Sequence, residues 1–163
     1  MKQWISILEA SGIVFLLSPH HRNFSKRIIK APKLFFVDTG ILCYLLGLRN
    51  VGELKRHPLV GPIFETFIVS ECYKRISHLG EIPRLYFWRD KTGHEVDLII
   101  DGGSTLFPIE IKMSKTCSES FSSSLLYWFN LKGNETKLGN IIYTGDQILN
   151  SQSNIPAVPW YYL

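Results

Sequence analysis

Residues 95–112, EVDLIIDGGSTLFPIEIK, contain two short runs of alternating apolar and charged residues on either side of a glycine turn, and the fold follows most directly from them. Such runs on either side of Asp101-Gly102-Gly103-Ser104 predict a β-hairpin. If the turn centres on its two glycines, or shifts along by one residue at each end, residues of opposite parity pair across the ladder. Asp97 is then expected on the same face as Glu110 and Lys112. The predicted hairpin thus brings two carboxylates and an ammonium group together.

A helix before this hairpin supplies a further carboxylate. It is predicted to begin at Gly61-Pro62 and to run to about Leu79. At 100° per residue Glu65 falls inside the apolar face, whereas Thr66 and Ser70 fall on the polar face. A buried ionised carboxylate needs a cation, a metal or a strong donor opposite it. A salt bridge to an inward-reaching Arg or Lys is the structural explanation, and a metal site is the functional one.

Carboxylates grouped in this way have a chemical use. Two or three of them hold Mg²⁺ through oxygen and leave coordination positions for water and a substrate phosphate. The metal lowers the pKa of a bound water, and a neighbouring lysine orients or deprotonates that water. The alternative is a cross-strand ion pair on a solvated sheet face, which contributes little to stability.

The E-x-K triplet alone is weak support for such a site. It occurs three times, at Glu53-Leu54-Lys55, Glu110-Ile111-Lys112 and Glu135-Thr136-Lys137. Only the middle triplet lies on a predicted strand that follows another strand with an inward candidate aspartate. Position, rather than the triplet, therefore carries the prediction.

The net charge of +4 is concentrated in one segment. Between Ala10 and Val37 the chain has no carboxylate and five cations, which are Arg22, Lys26, Arg27, Lys30 and Lys33. A local basic cluster of this kind binds phosphates, and we predict that these five residues contact a nucleic-acid backbone. A solvated basic loop explains the charge equally well.

The order of predicted elements indicates two parts. Residues 1–50 contain the end of a helix, two strands around the basic loop and a short helix, which is the pattern of the last part of a winged-helix module. The chain is therefore expected to begin within such a module. Polar, turn-rich residues 49–58 are taken as the boundary, and residues 51–163 follow the order α-β-β-β-α-β, which predicts an α/β domain with a mixed central sheet.

Composition excludes several classes of protein. Three cysteines without C-x-x-C spacing argue against a disulfide framework and a structural zinc site. Apolar runs such as Ile41–Leu46 are far shorter than the ~18 residues that span a bilayer. No signal peptide is evident. We expect a soluble protein of a reducing cytoplasm with no membrane partner.

Taken in order, several strings resemble known domains. Together with Glu65, Asp97 and the triplet at 110–112, the α-β-β-β-α-β order is similar to the PD-(D/E)XK nuclease superfamily. The closer resemblance is to the uncharacterised C-terminal domain attached to prokaryotic P-loop ATPases. It rests on KLFFVDTG (33–40), GPIFE (61–65), FWRD (87–90), EVD (95–97) and IEIK (109–112).

The resemblance implies a restriction-endonuclease-like fold, an adjoining winged-helix segment and an ATPase module in cis or in trans. It implies that Asp97 and Glu110 ligate Mg²⁺ or Mn²⁺, that Glu65 completes the site directly or through water, and that Lys112 orients the attacking water. The substrate is then a nucleic acid, with DNA favoured. No G-x-x-x-x-G-K-[ST] occurs, so this chain has no ATP site of that type. The alternative is a catalytically silent module of the same fold that binds DNA or docks a protein.

Overall fold

The structure is a computed structural model, and it describes residues 2–20, 31–150 and 154–163. These residues form five α-helices and eight strands of a mixed α/β protein. They divide into two compact units. The first contains Met1–Leu17 and Pro32–Pro83, and the second contains Ser18–Ala31 and Arg84–Leu163.

The first unit opens with a helix and a pair of strands. Helix α1 (Lys2–Ala10) ends before Gly12, whose φ of 71° lies in the left-handed region that favours glycine. Strands β1 (Val14–Pro19) and β2 (Lys33–Phe36) pair antiparallel, as their apolar runs predict.

Two short helices follow, and the sequence predicted only one of them. Helix α2 (Thr39–Leu45) begins at Asp38, whose carboxylate accepts the Ile41 N–H at 2.8 Å. The predicted turn-rich boundary instead contains α3 (Val51–Arg56). Asn50 caps this helix by accepting the Glu53 N–H, and the Glu53 carboxylate reaches back to the Arg49 N–H at 2.8 Å. This reciprocal capping explains why a polar segment forms a helix.

Helix α4 (Val60–His78) begins slightly before the predicted proline and is buried on more than one side. Its apolar residues Ile68 and Val69 are fully buried. Thr66 and Ser70 are buried too, so their assignment to an exposed polar face was wrong. Both hydroxyls donate to carbonyl oxygens of the same helix, at Pro62 and Phe67, and this satisfies them away from water.

The second unit is built on a mixed sheet, as predicted. Its strands are β3 (Leu85–Arg89), β4 (Glu95–Asp101), β5 (Leu106–Lys112), β6 (Asn140–Tyr143), β7 (Leu149–Asn150) and β8 (Pro156–Pro159). The last two residues of β1 pair parallel with β3, and β3, β4 and β5 are antiparallel neighbours. Strands β5, β6 and β8 run parallel, with the short β7 antiparallel beside β8.

One face of this sheet carries the main core. Helix α5 (Ser123–Phe129), preceded by the 3-10 turn Glu119–Ser122, packs on the sheet through the buried side chains of Leu125 and Trp128. They join Trp88, Val96, Ile99, Leu106, Ile141 and Tyr143 in one cluster. Strand β8 ends at Pro159 and is followed by a 3-10 turn, Trp160–Tyr162. No helix of the described residues is long and apolar enough to span a bilayer.

Candidate active site

The β4–β5 hairpin pairs residues of opposite parity, as the sequence predicts, with the turn shifted along by one residue from the two glycines. Leu98 lies opposite Ile109, and Asp101 lies opposite Leu106, so paired residues have opposite parity. The turn includes Gly103 at a φ of 87°, and its N–H donates to the Asp101 carboxylate at 2.7 Å. This turn chemistry fixes the register of the two strands that carry the predicted site.

Strand β4 carries one irregularity, and it falls at Asp97. Tyr86 of β3 lies opposite Ile99 of β4, and Trp88 of β3 lies opposite Val96 of β4. Two residues of β4 therefore face the single β3 residue that lies between Tyr86 and Trp88. Val96 and Ile99 both join the core cluster around α5, although strict alternation would place them on opposite faces. Asp97 and Leu98 therefore form a β-bulge.

The bulge directs the Asp97 side chain toward β5. Counted from Leu98, Asp97 would share a face with Glu110, but counted from Val96 it would lie on the opposite face. Its carboxylate accepts the backbone N–H of Ile111 at 2.8 Å. The structure thus brings Asp97 against the β5 backbone, between the two charged residues of the E-x-K triplet.

Glu110 and Lys112 lie together on β5. They stand beside Ile141 and Tyr143 of β6, which belong to the core cluster, so both side chains lie on the α5 face of the sheet. The Lys112 ammonium is 2.5 Å from a Glu110 carboxylate oxygen. The Glu110 side chain is only 4% exposed and that of Lys112 is 34% exposed. A nearly buried negative charge is thus compensated by a cation that reaches solvent.

A further carboxylate on β4 stands near Asp97. An oxygen of Glu95 lies within 4.8 Å of an oxygen of Asp97. Glu95 also forms an ion pair with Arg89 across the β3–β4 ladder, at 3.4 Å. The Arg89 side chain is 46% exposed, so this pair is screened by solvent and adds little to stability.

Glu65 belongs to the first unit, where the structure gives it a cation. The Lys33 ammonium of β2 donates to the Glu65 carboxylate of α4 at 2.8 Å, and both side chains are one quarter exposed. This is the salt bridge that explains a carboxylate on an apolar helix face. It also engages Lys33, which the sequence analysis assigned to nucleic-acid contacts.

The other four predicted nucleic-acid residues, Arg22, Lys26, Arg27 and Lys30, lie outside the described residues. Their role stays a prediction.

Sequence reasoning passed over one buried acid, Asp90, in the turn between β3 and β4. It is 2% exposed, and its carboxylate accepts hydrogen bonds from Thr92 and from the Tyr127 hydroxyl. The signal available was the pattern D-x-T-G-H at 90–94, in which an aspartate caps the turn that follows it. The partner from α5 has no signal in the local sequence.

Comparison with known proteins finds only uncharacterised relatives. The chain is 28% identical over 162 residues to an uncharacterised protein of Mycobacterium bovis and to one of Mycobacterium tuberculosis. Each match covers 97% of this chain but 34% of the relative, so the chain spans about a third of the length of these proteins. No solved structure matches the chain.

Two family models match in succession along the chain. A domain of unknown function designated DUF8612 matches residues 1–51. A second domain of unknown function, DUF4143, matches residues 60–163, which is more than half of the chain and includes both strands of the hairpin. The chain belongs to the DUF4143 family, whose domain typically lies C-terminal to AAA ATPase domains in prokaryotes.

Proposed function

We propose that this chain is a metal-dependent nuclease-like domain that acts on DNA phosphodiesters as the effector part of an ATPase. The observation that carries the proposal is the bulge in β4. It holds the Asp97 carboxylate against the Ile111 N–H, between Glu110 and Lys112. Bulges are enriched next to active sites, where they change the direction of a side chain.

The donor atoms on the hairpin fit a hard divalent cation. They are carboxylate oxygens, which Mg²⁺ and Mn²⁺ prefer, and the described hairpin residues 95–112 include neither histidine nor cysteine. Asp97 and Glu110 of the hairpin would hold the ion, and the part expected for Glu65 stays a prediction. When bound, the ion would neutralise negative charge on the phosphodiester and lower the pKa of a bound water.

The position and exposure of Lys112 suit a residue that orients a water molecule. Its ammonium contacts Glu110, and its side chain is partly exposed. In the proposed reaction it orients the attacking water and stabilises negative charge on the phosphate oxygens. Asp97 is held in place by its hydrogen bond to the β5 backbone, so it would meet the ion without prior rearrangement.

The wider setting of the proposal rests on the family and on charge. In this proposal the fold is restriction-endonuclease-like, and the segment before residue 51 is part of a winged-helix module. The basic residues within 22–33 bind the DNA backbone. Membership of a family whose domain typically follows AAA ATPase domains supports an ATPase partner.

A specific observation favours a second candidate, a catalytically silent module that binds DNA or docks a protein. Three of the carboxylates already have cationic partners within the protein: Glu65 with Lys33, Glu95 with Arg89 and Glu110 with Lys112. A structural ion-pair cluster would show the same pairing.

Calorimetric titration of Mn²⁺ and Mg²⁺ into the protein tests the proposal. We compare the parent with Asp97→Asn, which keeps an oxygen to accept the Ile111 N–H but removes the negative charge. We expect metal binding to be lost in this variant, together with metal-dependent cleavage of DNA. The matched control is Glu135→Ala, which removes an exposed glutamate from the third E-x-K triplet and should bind metal like the parent.

Two outcomes would overturn the proposal. If the parent binds neither ion, the carboxylates form a structural cluster and the silent module is correct. If Asp97→Asn binds metal as well as the parent does, the hairpin is not the metal site.

A further inference from the structure

A second group of polar side chains lies in the turn at 90–94, on the same unit as the hairpin. Asp90 accepts the backbone N–H groups of Thr92 at 2.9 Å and His94 at 3.1 Å. The Thr92 hydroxyl is 2.7 Å from both carboxylate oxygens, and the Tyr127 hydroxyl of α5 donates to one of them at 3.0 Å. A carboxylate that is 2% exposed is thus surrounded by donors.

These donors keep the Asp90 carboxylate ionised. Burial by itself raises the pKa of Asp90, but the hydrogen bonds from Thr92, Tyr127 and the two backbone amides outweigh burial and lower the pKa below its ordinary value. At neutral pH the carboxylate therefore only accepts hydrogen bonds.

The arrangement determines which nitrogen of His94 carries the proton. Because Asp90 has no hydrogen to give, the Thr92 hydroxyl donates to it, and the Thr92 oxygen is left as an acceptor. His94 Nδ1 lies 3.0 Å from that oxygen and 3.6 Å from the Asp90 carboxylate. Both contacts favour hydrogen on Nδ1, so the neutral ring keeps its lone pair on Nε2.

The imidazole ring is also fixed in orientation. It stacks on the Tyr127 ring with centroids 3.6 Å apart and planes inclined by 5°. The His94 side chain is 43% exposed, and Nε2 has no hydrogen-bond partner within the part of the chain that the structure describes. Capping of the turn by Asp90 would not by itself require the His94 ring to be fixed with Nε2 accessible. The arrangement therefore supports a role for His94 beyond the structure of the turn.

We propose that Asp90, Thr92 and His94 form a proton-accepting site, in which His94 Nε2 takes a proton from a water or from a hydroxyl group of a bound ligand. The O–H bond of the water or ligand breaks and its electron pair stays on that oxygen, which becomes the nucleophile. The proton bonds to Nε2, and the positive charge of the imidazolium is balanced by Asp90 through Thr92. Asp90 and Thr92 are positioning residues, and His94 is the residue that meets the ligand. None of these three residues is among the carboxylates proposed to bind metal.

Nitrogen-15 NMR of the histidine-labelled protein tests the hydrogen position directly. At about pH 8.5, where free imidazole is neutral, we expect His94 to be in the Nδ1–H form. Thr92→Val removes the hydroxyl and keeps the shape, and we expect the ratio of Nδ1–H to Nε2–H forms to fall about fivefold, the effect of one hydrogen bond. Thr92→Ser restores a hydroxyl and should restore the parent ratio. A His94→Gln variant assigns the signal.

Reaction with diethyl pyrocarbonate, which modifies an unprotonated imidazole nitrogen, gives a second readout. We expect His94 to react faster than His78, which is exposed at the end of α4, and the excess to disappear in Thr92→Val but not in Thr92→Ser. The proposal is overturned if His94 carries its hydrogen on Nε2, or if Thr92→Val changes neither the tautomer ratio nor the reaction rate.

Discussion

The Lys112 ammonium stands beside the Glu110 carboxylate, whose side chain is almost fully buried. Removing this ammonium group should therefore lower the stability of the protein. In Lys112→Ala the buried charge of Glu110 loses this cation, and we expect the metal-free variant to lose about 1–3 kcal/mol of stability near neutral pH. DNA cleavage should be abolished. Because lysine is not a ligand of Mg²⁺, the variant should still bind the ion and regain stability with it.

Thermal melts of parent and variant, each with and without millimolar Mg²⁺, make this measurement. Lys115→Ala removes an exposed lysine three residues further along and should melt like the parent. A Lys112→Ala deficit that Mg²⁺ leaves unchanged would indicate a purely structural ion pair and would favour the silent module.

For Glu65 the sequence predicted that a partner is needed but not which residue supplies it. The helical period placed it on an apolar face and required a cation, a metal or a donor opposite it. The structure supplies Lys33, which lies 32 residues earlier on β2. The need for a partner is local and readable from the period, but the choice of partner depends on how β2 packs on α4. That packing has no signal in either segment alone.

At the scale of elements, the hairpin was predictable and its bulge was not. The alternation and the glycine turn predicted correctly that residues of opposite parity pair between β4 and β5, and the turn itself lies one residue further along than the two glycines. The bulge at Asp97–Leu98 contains no glycine and interrupts a run that reads as regular strand. Helix α3 was missed for the opposite reason, since its capping residues Asn50 and Glu53 were present but were read as a turn.

The hydrogen bond that Asp97 accepts from the Ile111 N–H should contribute to the pairing of β4 with β5. Asp97→Ala leaves the N–H of Ile111, a residue only 7% exposed, without this acceptor, and we expect a loss of about 1–3 kcal/mol in the free energy of unfolding. Asp97→Asn keeps an acceptor and should lose much less. Urea denaturation measures the difference, and equal stabilities of the two variants would show that the contact does not hold the strands together.

At the scale of the molecule, the order of elements from α4 to β6 follows the predicted α-β-β-β-α-β succession. Turn residues and apolar periods specify this order because each acts within a few neighbours. The short strand β7 and the 3-10 turn at the C-terminus escaped prediction, since segments of two or three residues show no period.

The segregation of charge leads to a whole-molecule prediction. If the basic segment binds duplex DNA, affinity should fall with salt by a log–log slope of ~0.9 for each phosphate contacted. Replacing Lys26, Arg27 and Lys30 by alanine should then weaken binding and lower the slope by up to about 2.7. Fluorescence anisotropy across a salt series measures both quantities.

The control carries the same change in net charge elsewhere. Replacing the exposed lysines Lys91, Lys115 and Lys132 by alanine also removes three positive charges, and it should leave the slope near that of the parent. If both triple variants behave alike, binding reflects net charge only, and the basic segment is a solvated loop.

The bulge gives β4 one residue more than a regular ladder with β3 would need. With one residue fewer between Val96 and Ile99, these two side chains would still enter the core and the ladder with β3 would be regular. The packing of Val96 and Ile99 in the α5 cluster therefore does not require the added residue. Deleting Leu98 would make the ladder with β3 regular, but it would also remove a fully buried side chain and bring Asp97 opposite Ile109, on the face away from the α5 core. The added residue therefore fills that face and, at the same time, places the Asp97 carboxylate beside the Ile111 N–H.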